Sequence, residues 1–297
     1  MNHSVPTRNA KLSAGLYFVA TPIGNARDIT LRALDVLASA DVIAAEDTRN
    51  TRRLMEIHGI AIGTRKLISY HDHNGPRARP GLIAAMKDGQ SVAYASDAGT
   101  PLVADPGYGL MTGAIEEELS VWAVPGASAP LAALSIAGLP TDRFLFAGFA
   151  PNAKSARMSF FEELDKAGST IVLFESPKRV KAFLRDASVV FGLERRAAIC
   201  RELTKKFEEV LRGSLKELSA TLDDRTLKGE LVIVIEKAGD KELSQDLLDA
   251  EIKKALPEMS VRDLVALISS THGVPKKQVY QRALELSGKS NADENSE

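Results

Sequence analysis

Ser91-Val92-Ala93-Tyr94-Ala95-Ser96-Asp97-Ala98-Gly99-Thr100-Pro101 sets a short, near-continuously apolar run directly before a run of small residues. Such a run, with no polar alternation, reads as a strand buried on both faces of a parallel sheet. The small residues after it leave backbone N–H and C=O groups accessible at the strand's C-terminal end, where open α/β sheets bind ligands. The pattern repeats on either side. Gly15–Ala20 (GLYFVA) runs into Thr21-Pro22-Ile23-Gly24-Asn25, and Ser120–Val124 (SVWAV) into Pro125-Gly126-Ala127-Ser128-Ala129. Asp41–Ala45 (DVIAA) runs into Glu46-Asp47-Thr48-Arg49-Asn50-Thr51-Arg52-Arg53, and Lys66–Tyr70 completes the set. Helical stretches such as Thr30–Ser39 and Pro106–Glu118 fill the gaps, which gives a βαβ rhythm and an α/β fold class.

Further along, Phe144–Phe149, Thr170–Glu175, Ala197–Arg201, Phe207–Arg212 and Glu230–Glu236 predict a second sheet. Leu203–Lys206 is too short for a crossover helix, so the strands on either side of it pair antiparallel and this sheet is mixed. The expected organisation is a flexible tail over 1–13, α/β domains over 14–128 and 129–240, and a helical domain over 241–289. In that last region Ser244–Leu256, Ser260–Thr271 and Pro275–Ser287 carry helical apolar spacing. Ser260 is placed as an N-cap, and a His272-Gly273-Val274 turn gives the outline of a helix-turn-helix. Between Ser260 and Lys289 stand Arg262, Lys276, Lys277, Arg282 and Lys289 against Asp263 and Glu285. That basic surface fits RNA contact, with Lys276 and Lys277 foremost; a structural cap or dimer-contact module is the other reading. Residues 290–297 are polar and acidic and are expected to be disordered.

Composition sets limits. The chain has 297 residues, 44% hydrophobic and 26% charged, with 38 basic against 39 acidic residues and a net charge of −1. No global field marks a nucleic-acid binder, so such a partner must be met by local patches. No apolar run reaches the roughly 18 residues that span a bilayer, and Met1–Lys11 is followed by no signal-peptide core. A cytoplasmic protein without membrane association is expected. Cys200 is the only cysteine, which excludes an intramolecular disulfide and a cysteine-based zinc site. It reads as inert core.

Several motifs fail on inspection. Gly288-Lys289-Ser290 resembles the end of a phosphate loop, but Ala283 stands where its leading glycine belongs. The first strand lacks the G-x-G-x-x-G of a dinucleotide site, and the Ser128 segment lacks the second glycine of a nucleophile elbow. His71 and His73 share a face of an extended segment, yet no third ligand is signalled, so no metal is expected. The small-residue loops at one sheet edge remain, with Glu46 and Asp47 beside them. These two carboxylates are either helix-start charges that complement the dipole or polar groups held in a cleft.

Taken in order, Leu16–Thr30 (LYFVATPIGNARDIT), Ala44–Leu54 (AAEDTRNTRRL), Ser69–Asn74 (SYHDHN), Ser96–Gly107 (SDAGTPLVADPG), Val124–Ala129 (VPGASA), Phe174–Arg179 (FESPKR) and Cys200–Gly213 (CRELTKKFEEVLRG) closely resemble the tetrapyrrole (precorrin) methylase superfamily, in its ribosomal-RNA-modifying branch. The departure is Phe174 and Lys178, where the family often has Tyr and His. The resemblance implies two α/β domains of tetrapyrrole-methylase type followed by a helix-turn-helix-like domain. It also implies a methyltransferase that uses S-adenosylmethionine and acts as a homodimer. The acceptor it implies is a cytidine ribose 2′-hydroxyl in the decoding region of 16S rRNA, in the assembled small ribosomal subunit. Donor contacts carry over to Pro22, Ala98, Gly99, Thr100, Ser128 and Ala129, and further to Phe174, Thr204 and Leu231.

A ribose hydroxyl needs its proton accepted, so Asp47, Glu46 and Glu202 are candidate general bases, in that order. Lys205 joins them if burial lowers its pKa. Arg49, Arg52 and Arg53 are candidate phosphate clamps, and His71 or Tyr70 could stack a splayed base. Two other functions share these features: a tetrapyrrole or corrin-precursor methylase, and a non-catalytic RNA-binding ribosome assembly factor.

Overall fold

The computed structural model describes residues 10–71, 73–104, 106–238, 245–272 and 274–287. The first sheet is built from β1 (Gly15–Val19), β2 (Val42–Ala45), β3 (Lys66–Ser69), β4 (Ser91–Ala95) and β5 (Val121–Val124), in the order β3-β2-β4-β1-β5. Every pairing is parallel. β1, β2 and β4 are buried along their whole length, which is why their sequences do not alternate, whereas the edge strands β3 and β5 are more exposed. Helices α1 (Leu31–Ser39) and α2 (Thr48–Ile57) cover one face, through Leu34, Leu37 and Met55. Helices α3 (Gly75–Lys87) and α4 (Tyr108–Glu116) cover the other, through Leu82, Met86 and Leu110. Thr30 caps α1 by accepting the Ala33 N–H at 3.1 Å, as its place before the apolar run requires.

After α5 (Ala129–Ala137), the second sheet orders β6 (Phe144–Phe149), β7 (Thr170–Glu175), β10 (Leu231–Ile235), β8 (Arg196–Arg201) and β9 (Glu209–Ser214) as β6-β7-β10-β8-β9. Only β6–β7 is parallel. The mixed sheet is as expected, but β9 begins two residues later than the apolar pattern placed it. Arg201 pairs with Glu209 in the register and in a 3.0 Å ion pair, and the Glu208 carboxylate accepts the Thr204 N–H. Those bonds hold 202–208 as a loop. Helices α6 (Lys154–Asp165), α7 (Val180–Phe191) and α8 (Leu215–Asp223) fill one face of this sheet, and α5 covers the other. Cys200 lies in the core under α5, where burial raises its thiol pKa to about 11.

By compactness the chain divides into residues 1–236 and 237–297. The second unit packs α9 (Gln245–Ala255), α10 (Val261–His272) and α11 (Lys276–Leu286) around Leu248, Ile252, Leu264, Ile268 and Val279. Ser260 accepts the Asp263 N–H at 3.2 Å, the expected cap. Arg282 is held by Asp249, its Nε at 2.7 Å from Oδ1. Of the expected basic surface, Arg282 is therefore neutralised within the unit. The N-terminal tail before Ala10, the residues 239–244 where the helical domain was expected to begin, Gly273 of the turn, and the stretch from Gly288 onward lie outside the described residues. Leu12, expected in the tail, packs against the first core. Among the described residues no helix is long and apolar enough to cross a membrane.

Candidate functional site

The chain leaves β1 toward β2 and leaves β4 in the opposite direction toward β5, so the strand order reverses between neighbours β1 and β4. Ligands of open α/β sheets lie at such a switch. The two loops that start there are joined: Thr21 and Gly99 exchange both backbone hydrogen bonds at 3.0 Å. Gly99 turns with φ +84°, a conformation glycine adopts without a Cβ penalty. Ser96 Oγ donates to the Gly99 carbonyl at 2.7 Å, and Thr100 Oγ1 donates to the Ala127 carbonyl at 3.0 Å. The loops after β1, β4 and β5 therefore form one bonded floor. A fourth loop, after β2, is tied to it reciprocally. The Asp47 N–H donates to the Asp97 carboxylate at 2.9 Å, and the Asp97 N–H donates to Glu46 Oε2 at 3.3 Å.

The second sheet closes over this floor. A Cβ on Gly24 would lie 2.4 Å from Lys205 Cγ and 2.9 Å from the Leu203 carbonyl oxygen. Glycine is what lets the first loop touch the 202–205 loop, where the Asn25 N–H donates to Thr204 Oγ1 at 3.1 Å. Ile23 is itself part of the core beneath α5. Glu202 and Thr204 adopt φ +52° and +64°, which non-glycine residues hold only where neighbours over-determine them. The neighbours are evident. Glu202 Oε1 accepts from Lys205 Nζ at 2.9 Å and from the Glu230 N–H at 3.0 Å, and Lys205 Nζ also donates to Glu230 Oε2 at 2.8 Å.

Between floor and cover lies a cleft of about 360 Å³, lined by Ile23, Ala98, Ala129, Phe149, Phe174 and Leu231, with Glu175, Gly229 and Glu230 adding polarity. Small-molecule sites span roughly 300–1,000 Å³. Of the donor contacts expected from sequence, Ala98, Ala129, Phe174 and Leu231 line this cleft. Ser128 and Thr204 line a neighbouring opening that shares Ile23, and Thr100 lines an apolar groove beyond it. Pro22 and Gly99 line none of these three. Gly99 exchanges both backbone hydrogen bonds with Thr21 and shapes the turn. Sequence reasoning passed over Ile23, Phe149, Glu175 and Gly229. The available signal was weak: Ile23 stands inside the first small-residue loop, and Gly229 stands just before an apolar run.

The ionisable candidates differ in state. Asp47 caps α2 through the Arg49 N–H at 2.8 Å, and its bonds to the Arg49 guanidinium pull its pKa down to about 2. Glu202 is lowered by the Glu230 backbone N–H first and by Lys205 second. Burial opposes the charge on Lys205, but its hydrogen bonds to Glu230 and Glu202 outweigh it and the pKa is raised. Lys205 is thus an ammonium in an ion pair, and the condition for its acting as a base is not met. Glu175 is buried and its pKa is raised by desolvation; Oε1 accepts the Ser176 N–H at 2.7 Å, and Oε2 lies 3.2 Å from Arg179 Nη2 without hydrogen-bond geometry.

Arg49, Arg52 and Arg53 are exposed on α2, Arg49 already paired with Asp47. Tyr70 is 2% exposed and packs edge-on against Tyr94, so it belongs to the core and stacks no base. His71 is half-buried, its ring 6.0 Å from that of His73, and Asp72 between them lies outside the described residues. Lys276 and Lys277 are exposed in the first turn of α11.

Known proteins match this chain. The family model for tetrapyrrole (corrin/porphyrin) methylases matches residues 15–219, and that for the RsmI C-terminal HTH domain matches residues 242–287. A ribosomal RNA small subunit methyltransferase I of Mesorhizobium japonicum is 46% identical over 95% of this chain and 95% of its own length. That of Escherichia coli O157:H7 is 40% identical, over 92% of this chain and 96% of its own. Among solved structures, a cobalt precorrin-4 methyltransferase superposes with a TM-score of 0.55 at 18% identity, covering 74% of this chain and 94% of its own.

Proposed function

The chain belongs to the tetrapyrrole methylase family, and on that premise we propose that it transfers a methyl group from S-adenosylmethionine to a cytidine ribose 2′-hydroxyl in the decoding region of 16S rRNA. The observation that carries the RNA acceptor is the reach of the match. Relatives named for methylation of small-subunit ribosomal RNA align with 95% and 92% of the chain, whereas the corrin methylase covers 74% of it. The donor fits the cleft: Ala98, Ala129 and Gly229 leave room and backbone, and Phe174 and Leu231 supply apolar walls.

Bound S-adenosylmethionine supplies an electrophilic methyl carbon on a sulfonium. The chain's own part is positioning, since holding reactants in line accounts for much of such a barrier. The bonded floor of loops and the 202–205 cover hold the cleft's shape, and its apolar walls limit water. A proton acceptor near the ribose hydroxyl adds to this. Arg49 lowers Asp47, and the Glu230 backbone N–H and then Lys205 lower Glu202, so both carboxylates are weak bases, and Lys205 is charged. Glu46, on the loop bonded to the Ala98 segment, is therefore the first carboxylate to test. Arg49, Arg52, Arg53 and His71 are assigned to RNA, as are Lys276 and Lys277.

We assign the protein to the cytoplasm and to a homodimer. Leu131, Phe144 and Tyr108, at 55%, 44% and 69% exposure, supply apolar surface that a second copy would cover. The test is transfer of labelled methyl to free RNA, to assembled small subunits and to a corrin precursor. Label on a 2′-O-methylcytidine from assembled subunits is expected. Label in the corrin precursor alone would favour a small-molecule methylase. RNA binding without transfer would favour an assembly factor. Ala98→Trp, which fills the cleft from an exposed position, is expected to abolish donor binding in calorimetric titration while the protein stays folded.

A further inference from the structure

Arg79 stands in the second turn of α3, and its guanidinium rests against α4. A Cβ on Gly109 would fall 2.1 Å from Arg79 Nη2, and one on Gly113 would fall 3.2 Å from Arg79 Cδ. These glycines, one turn apart on the same helix face, form a seat that a side chain on Gly109 would close. Gly113 lies in the interior of α4, where glycine costs stability relative to alanine. Nothing among the described residues explains the arrangement as an ion pair. Arg79 has no acidic or hydrogen-bonding partner there, and its Nε is buried without an acceptor. A buried donor left unpaired is costly, and a guanidinium offers a planar fork of donors that matches phosphate oxygens.

Its place in the fold gives the seat a purpose. β2 and β3 are parallel neighbours, so α2 and α3 start at the same edge of the sheet. They then pass to opposite faces, α2 through Met55 and α3 through Leu82 and Met86. Arg49, Arg52 and Arg53 therefore flank that edge on one side and Arg79 on the other, with His71 on the loop between. A polyanionic strand crossing the edge toward the Glu46 and Ala98 loops would meet cations on both flanks.

We propose that Arg79, seated on Gly109 and Gly113, binds a phosphate of the RNA substrate from the α3–α4 face, opposite the α2 arginines. This rests on the RNA-methylating function and adds to it a binding residue, not a catalytic one. Two variants separate charge from seat. Arg79→Met keeps a long apolar stem over Gly113 and removes the fork. Gly109→Ala keeps the arginine, fills its seat and improves helix propensity.

With the RNA acceptor of the wild-type enzyme and saturating S-adenosylmethionine, each variant should raise the apparent KM for RNA roughly tenfold, the scale of one charge-assisted contact. Saturated turnover, donor affinity and melting temperature should hold. Arg79→Met should also flatten the log–log salt dependence of RNA binding by about 0.7–0.9, one phosphate's worth. Arg79→Lys, which retains the charge without the fork, should recover the salt slope and only part of the KM. Wild-type KM in either principal variant, or an unchanged salt slope in Arg79→Met, overturns the proposal. So does a KM change that merely tracks a fall in melting temperature. Failure of the wild type to methylate any RNA while still binding donor would overturn the proposed acceptor itself, and this proposal with it.

Discussion

Asp47 and Glu46 are adjacent in sequence, and the state of Asp47 is fixed by its neighbours. Asp47 accepts the Arg49 N–H and its guanidinium, and its carboxyl is held near 2. It therefore stays ionised across the pH range where a methyltransferase works, and a base so weak adds little driving force to proton transfer. Asp47→Asn keeps the cap oxygen, so its single-turnover rate at saturating donor and RNA should stay within about threefold of wild type. Glu46→Gln should lose about 10²–10⁴-fold if Glu46 accepts the proton. Equal rates in both amides would leave positioning, with water as acceptor, as the whole mechanism. Glu175 yields a prediction on stability. Burial raises its pKa, so between its unfolded and folded values the native state keeps a proton the unfolded chain has lost. Stability then declines as pH rises through that window. Arg179 keeps the Ala150 and Asn152 oxygens as acceptors, so Glu175→Gln should gain on wild type in melting temperature from acid to neutral pH. A wild-type advantage that grows toward neutral pH would mean that the Arg179 pairing outweighs burial.

Elements decide how far the cleft depends on its loops. Gly24→Ala brings a Cβ to 2.4 Å from Lys205 Cγ, where a long side chain can shift but the Leu203 carbonyl at 2.9 Å cannot. Gly229→Ala adds a φ of +90° and a Cβ 2.3 Å from the Glu202 carboxyl carbon, so it should cost more donor affinity than Gly24→Ala. The reverse order in calorimetry would detach the Glu202 lock from the donor site. Far from the cleft, Ser214 completes a capping box with Glu217 on α8. Ser214→Ala should cost about 1 kcal/mol and leave donor affinity unchanged. The parallel sheet, the mixed sheet and the loops that make the floor were legible in the sequence, because strands buried on both faces cannot alternate and tight ligand loops need small residues. The state of each side chain was not. Tyr70 at a strand end reads the same whether it faces solvent or Tyr94. The pairing of Lys205 with Glu230 joins positions 25 residues apart, which no local pattern reports. Gly109 and Gly113 read as ordinary helix residues until Arg79 is seen lying on them.

For the whole molecule, the division after Glu236 is energetic as well as geometric. Residues 237–297 have their own apolar centre in Leu248, Ile252, Leu264, Ile268, Val279 and Ala283, and the methylase sheets have theirs. A chain ending at Glu236 should therefore fold, bind S-adenosylmethionine with full-length affinity and retain the floor of the cleft. What it should lose is hold on RNA. The tail's exposed cations include Arg262, Lys276 and Lys277, whereas Arg282 is occupied by Asp249. If those three each neutralise a phosphate, truncation should flatten the log–log salt dependence of subunit binding by roughly 2–3. The apparent KM for the acceptor should rise while saturated turnover persists. Lys276→Gln with Lys277→Gln in the full chain should give about two-thirds of the slope change if the contacts are equivalent. Truncation that leaves the salt slope untouched but shifts the sedimentation coefficient would reassign α9–α11 to dimerisation, and the arginines around the first sheet would then carry RNA binding alone.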